Sequence, residues 1–283
     1  MIFRKSTKAA EKPAKPKSDS PFPRSDEDFD PVEAYQMPLM EHLREMRTRL
    51  MVSIVAMAIG IAACFNYVDI IWNFLVSPMN EALEASGRGH MVIIEPLEGF
   101  LTYLKVALVA GLGLASPVIS YQIWKFVAPA LYPKEKRLVV PLMFASTFLF
   151  LSGAAFCYFV IFKFAFPFFI EITAADVEAS LSIAAYLGLA TRLLVAFGIC
   201  FQLPVVVFFF ARMGLIDHRD MVTFFRYGLV GIFVLSAMLT PPDVLSQLLM
   251  AAPMTLLYIV GIAVAWMFTT KERDEEEEAE AAG

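Results

Sequence analysis

The chain has 283 residues, of which 58% are hydrophobic, 26 are Phe and 18% are charged. A soluble domain of this size carries about 25% charge, so an ordinary water-soluble globule is excluded. The formal net charge of −5 comes mainly from one acidic tail and gives no reason to expect a nucleic-acid partner.

Residues 1–35 are rich in Lys, Pro, Ser and Asp. Such a composition cannot bury enough apolar surface to offset the entropy of ordering, so a disordered arm is expected. It also lacks the apolar stretch of a cleavable signal peptide, which leaves the first span to act as an uncleaved anchor. The segment EHLREMRTRL, residues 41–50, comes next. Leu39, Leu43, Met46 and Leu50 make one apolar stripe at helical spacing, and His42, Glu45 and Arg49 make another face. This is an amphipathic helix running into a membrane. Its charges read either as a solvated face with Glu45 paired to Arg49 at i+4 or as groups waiting for a ligand.

A helical span needs about 20 apolar residues to cross about 30 Å of hydrocarbon. Residues 50–68, 106–124, 138–162, 193–211 and 244–270 contain no charge, and 221–242 contains only Arg226. Six spans are therefore expected, near 50–69, 104–124, 138–162, 186–211, 222–240 and 244–268, within a membrane domain of residues 36–270. Cys64, Cys157 and Cys200 fall in three different runs, too dispersed for a metal motif. No cofactor is expected.

Orientation follows from Lys and Arg near the span ends. Residues 1–49 carry ten of them, the connection after the second span carries Lys125, Lys134, Lys136 and Arg137, and that after the fourth carries Arg212, Arg219 and Arg226. The opposite side holds Arg88, Lys105, Lys163 and Arg192. Both termini are expected in the cytoplasm, the C-terminal one as an acidic disordered tail, residues 271–283.

Between Asp69 and Gly99 the run IIWNFLVSP predicts a short interfacial helix burying Ile70, Ile71, Trp72, Phe74 and Leu75, stopped or kinked at Pro78. Residues 164–185 form a second outer segment, rich in Phe. The third outer connection is only Thr240-Pro241-Pro242-Asp243, a tight reversal. Tyr227 to Thr240 makes only about 21 Å of helix, and Pro253 is expected to interrupt the last span. The last two spans therefore read as a short hairpin that thins the bilayer locally.

Glu135 is the lone acid of the connection FVAPALYPKEKR, residues 126–137. It reads as local charge pairing or as a carboxylate for a cationic ligand, which an arginine would meet in a bidentate fork. Glu45 and Glu135 both fall at the cytoplasmic boundary, within reach of one ligand if their helices are neighbours; the basic surroundings count against a cationic partner. Arg192 can snorkel to the interface. Gln202, near mid-bilayer, needs a hydrogen-bonding partner on another helix or in a wet cavity; structural glue and a docking point for a partner both fit. His42, His90 and His218 lie far apart, and no zinc-protease, nucleophile-elbow or phosphate-loop motif is present. The chain is read as a non-enzyme. A small-solute transporter would show repeats with discontinuous helices, and a passive scaffold would have no need of the cytoplasmic carboxylates.

Four blocks, HLREMRTRL at 42–50, SPVISYQIWKFVAPALYPKEKRLVVPL at 116–142, FGICFQLPVVV at 197–207 and LTPPDVLSQLLMAAPM at 239–254, resemble the TatC family, the multispanning subunit of the twin-arginine protein translocase. The resemblance covers about residues 37–270. It implies an all-α polytopic fold, six helices in a concave cup in the bacterial inner membrane. It also implies a receptor for folded cargo bearing twin-arginine signal peptides, export driven by the proton-motive force, single-span TatA-like and TatB-like partners, and a higher-order oligomer. On this resemblance Glu45 and Glu135 recognise the paired arginines, with His42 and Arg47 in the same segment and Phe126 and Leu131 contacting the signal. Pro78, Pro117 and Asp243 shape the outer cap and span ends. Gln202 falls where many members carry glutamate; the neutral amide leaves docking of partner helices as its implied role.

Overall fold

Backbone groups in hydrocarbon have no water to bond, so apolar runs close their hydrogen bonds internally as helices. The computed structural model describes residues 39–87, 89–128, 139–172, 180–240 and 243–281. Of the described residues, those up to Leu43 fall in a different unit from Arg44 onward.

Helix α1 spans Leu39–Phe65. Only 6% of its apolar stretch is buried, so nearly all of α1 is left for lipid. Its close contact is at Gly60, where an added Cβ would stand 2.6 Å from the Gly111 carbonyl oxygen of α3 (Pro96–Val127). Small residues permit such backbone approach between membrane helices.

After a turn at Asn66 and Tyr67, α2 covers Val68–Ser86 and ends at Gly87, which adopts φ 63°. It is longer than the short interfacial helix the sequence suggests, because it passes through Pro78. Proline has no N–H for the carbonyl four residues earlier. That carbonyl belongs to Phe74, and the Tyr158 hydroxyl donates to it at 2.6 Å. Leu75, Val76, Met79, Ala82 and Leu83 are buried, whereas Ile70 and Phe74 are exposed. Of the five residues expected to bury, only Leu75 does so within the protein.

Strands β1 (His90–Val92) and β2 (Ser180–Ser182) pair in parallel, His90 opposite Ser180. Helix α3 starts at Pro96, well before its charge-free run, because Glu95 and Glu98 form a capping box. It also passes a proline. Pro117 leaves the Gly113 carbonyl without its usual donor, and the Ser116 hydroxyl supplies one at 2.7 Å.

Helix α4 (Val139–Phe156) runs through a π turn, Cys157–Ile161, into α5 (Phe162–Ile172). What reads as a span ending near 162 followed by a separate segment is thus one helical rod. The next span is broken instead. Helix α6 (Ile183–Cys200) and α7 (Leu203–Arg212) are separated by Phe201 and Gln202, since Pro204 cannot donate to the Cys200 carbonyl. Helix α8 (His218–Thr223) and α9 (Phe225–Leu239) follow. Helix α10 covers Val244–Ala281 and is not interrupted at Pro253. It extends into the acidic segment, where the sequence suggests disorder. Ala and Glu favour helix, and extending a formed helix needs no new nucleus.

Helices α3, α4 and α6 pack on one another, α2 packs on α5, and α10 packs on both α7 and α9. One large core joins Leu75, Phe162, Phe166, Leu187, Phe197 and Met250. A second, around Trp124, Val139, Leu142, Val205 and Phe209, fills the opposite end, where α3 finishes and α4 begins.

Candidate functional site

Arginine 49 organises the first site. Its Nε donates to Glu45 Oε1 at 3.0 Å, its Nη2 donates to the same oxygen, and its Nη1 reaches Gln122 Oε1 on α3 at 3.4 Å. The i,i+4 pair is therefore formed. Glu45 and Arg49 are half-buried, with side-chain exposures of 22% and 16%. Both Arg49 bonds to Glu45 fall on Oε1. Oε2 is shielded from solvent and has no hydrogen-bond partner among the described residues. A carboxylate with one oxygen bonded and the other unpaired can accept one more charged donor.

Gln122 lies one turn before Phe126, so the site adjoins the segment that leads into the connection after α3. Phe126 is half-buried and Arg47 exposed. His42 lies in the first turn of α1, in the separate N-terminal unit, and is half-buried. Glu135 and Leu131 lie outside the described residues.

The other side of α3 carries a second polar connection. Trp124 Nε1 donates to Ser146 Oγ at 2.7 Å, and Gln202 Nε2 donates to the Ser146 carbonyl at 2.8 Å. Residues 122 and 124 are about 200° apart around a helix. The two polar groups therefore share the last turns of α3 on nearly opposite faces. Gln202 stands at the α6–α7 break with its amide NH2 bonded to α4, and among the described residues no donor to its amide oxygen is found.

At the far end Glu98 is buried. Its Oε2 accepts from the Ile94 and Glu95 amides at 2.7 and 3.0 Å, and its Oε1 accepts from Ser182 Oγ at 2.6 Å and the Ala184 amide at 2.8 Å. One carboxylate thus ties the β1–α3 corner to the β2–α6 corner. Asp243 sits before α10, and its Oδ1 accepts from the Ser246 amide at 2.7 Å, capping that helix. Pro78 and Pro117 lie inside α2 and α3.

Sequence reasoning missed Gln122, Ser146, Glu98 and Tyr158. The spacing E-P-x-E at 95–98 is a helix-start pattern and could have exposed Glu98. The others are partners from distant segments and leave no local pattern.

Among the described residues five helices are long and apolar enough to cross a membrane, and α9 is a shorter apolar helix. Large apolar side chains such as Leu114, Phe144, Phe148, Phe159, Val230 and Met238 are exposed on the protein surface. The fold is that of an all-α polytopic membrane protein. The family model described as Sec-independent protein translocase protein (TatC) matches residues 41–253, and the chain belongs to that family. It is 40% identical over 248 residues to a Sec-independent protein translocase protein TatC of Desulforapulum autotrophicum, covering 87% of this chain and 91% of that one. It is 40% identical over 239 residues to the corresponding protein of Campylobacter jejuni, covering 84% and 97%. A crystal structure of the twin-arginine translocase receptor TatC aligns with a TM-score of 0.71 at 36% identity, covering 79% of this chain and 97% of that one. A second, determined in the detergent DDM, aligns with a TM-score of 0.73. The protein is a multi-pass inner-membrane component of a protein translocase, a transport role.

Proposed function

We propose that this chain is the receptor for twin-arginine signal peptides and the core subunit of a translocase that exports folded proteins across the cytoplasmic membrane, driven by the proton-motive force. The observation that carries the reading is the Oε2 of Glu45, unpaired among the described residues, beside a bond network reaching the end of α3. Both the N-terminus and the connection after α3 lie in the cytoplasm in this reading, by the distribution of Lys and Arg. Arg49 holds one carboxylate oxygen and orients the group, while the other meets an incoming guanidinium. Glu135 meets the second arginine. His42, Arg47, Phe126 and Leu131 complete the recognition segment. Pro78, Pro117 and Asp243 hold the cap and span ends in shape.

Six spans are counted when α9 is included. At 15 residues it makes about 22 Å of helix, short of the roughly 30 Å of hydrocarbon. The hairpin of α9 and α10 thins the bilayer where cargo crosses. TatA-like and TatB-like helices dock along α9 and at the acceptor oxygen of Gln202, in a higher-order oligomer.

The test is binding of a fluorescent twin-arginine signal peptide to the purified full-length protein. Glu45→Ala and Glu135→Ala are each expected to weaken binding by ~1–3 kcal/mol, the usual loss of a charge-assisted bond, or about 5- to 150-fold. A peptide with both arginines changed to lysine should lose affinity for wild type. Normal binding by both alanine variants would remove the carboxylates from the site.

A further inference from the structure

Away from the receptor site, α5, α6 and the end of α9 enclose a cavity of about 600 Å³. Phe166, Phe169, Leu189 and Leu239 line it, and Lys105 and Arg192 open onto it from α3 and α6. Among the described residues that line it there is no Asp or Glu. Of the described carboxylates next to the lining, Glu171 follows Ile170 and is exposed, and Glu98, bonded to the lining residue Ser182, is committed to four bonds at 2.6–3.0 Å. Among the described residues neither Lys105 nor Arg192 has a carboxylate within ion-pair distance, and both are exposed.

Two cations at one apolar cavity need a counter-charge that also has an apolar part. The depth of the cavity narrows the choice. Leu239 ends α9 and Thr240 caps it, and both line the cavity. Helix α10 starts at Val244 and packs against α9, so the cavity lies where a membrane helix meets the headgroup layer. A size of roughly 300–1,000 Å³ suits a small amphiphile or part of a larger one.

The geometry points to a binding site for an anionic phospholipid, its phosphate between Lys105 and Arg192 and an acyl chain against Phe166, Phe169 and Leu189. This is independent of the signal-peptide reading, since it uses neither Glu45 nor Glu135. Two basic side chains near an anionic headgroup favour it by about 30-fold over a zwitterionic one.

The full-length protein would be purified in mild detergent and offered phosphatidylglycerol or phosphatidylcholine, with retained lipid counted by native mass spectrometry. Wild type is expected to keep phosphatidylglycerol about 30-fold more strongly, and the Lys105→Gln/Arg192→Gln double variant to show no preference. Leu189→Trp, which fills the cavity and keeps both charges, should also lose the lipid. Equal retention of the two lipids by wild type would overturn the site, and so would a preference that survives Leu189→Trp. Displacement by soluble glycerol phosphate at the same concentration as lipid would overturn the lipid assignment, since the acyl chain would then contribute nothing. The wild-type comparison and the salt sensitivity of its preference need no variant, so misfolding of the double variant leaves the test intact.

Discussion

Gly60 and Gly111 set how closely α1 approaches α3, and alanine at either should push the helices apart. A Cβ on Gly60 would stand 2.6 Å from the Gly111 carbonyl oxygen, and one on Gly111 would stand 2.6 Å from the Ile61 amide nitrogen and 2.8 Å from Ile61 Cα. Ordinary contact begins near 3.4 Å, so the backbones must part by about 0.8 Å (3.4 − 2.6). Overpacking of this kind costs ~1–3 kcal/mol, and the better helix propensity of alanine returns ~1 kcal/mol. A net loss of about 1 kcal/mol is expected for each variant. Gly231→Ala is the control. Nothing lies within 4 Å of a Cβ there, so it should gain up to ~1 kcal/mol. Unfolding by SDS titration in mixed micelles would rank the three. The double variant should fall short of the sum of the singles, because one separation relieves both clashes. Gly60→Ala and Gly111→Ala variants as stable as Gly231→Ala would refute the close approach. The site should respond as well, since Arg49 lies 11 residues (60 − 49) from Gly60 on the same helix and reaches Gln122 at 3.4 Å.

Tyr158→Phe should remove the donor to the Phe74 carbonyl beside Pro78, an exposed hydrogen bond worth ~0.5–1.5 kcal/mol. The same titration would read it, and a Tyr158→Phe variant as stable as wild type would mean that something else satisfies that carbonyl. Asp243→Ala should remove the cap of α10 and cost ~0.5–2 kcal/mol. Asn at the same position should restore most of it, and equal loss by Ala and Asn would argue against capping.

The spans were legible because hydrocarbon imposes one length and one composition on every crossing. Their boundaries were less so, and prolines account for most of the difference. Pro78 and Pro253 were read as stops or interruptions, but helices pass through both. Pro78 is tolerated because a tyrosine 84 residues beyond Phe74 bonds the stranded Phe74 carbonyl. Pro204 does mark a break, between α6 and α7. Whether a proline breaks a helix depends on what bonds the carbonyl four residues earlier: at Pro117 the donor is the neighbouring Ser116, whereas at Pro78 no local window contains it. The same contrast holds at the site. The Glu45–Arg49 pair was readable from i+4 spacing, whereas the Arg49–Gln122 contact spans 73 residues. Gln202 was recognised as needing a partner, and the Ser146 carbonyl that receives its amide could not be named beforehand.

Glu98 implies an order of events during synthesis. Two of its four donors lie close behind it, but Ser182 and Ala184 are 84 and 86 residues further along. A ribosome adding about 5–20 residues per second needs about 4 to 17 s to make that stretch. Through that interval half of the carboxylate has only water to bond, and the β1–α3 corner has no second strand to pair with. The two corners can lock together only once the start of α6 has been made and has reached the same side of the membrane. For those seconds the newborn set of helices has an unfinished end, and its completion is timed by translation.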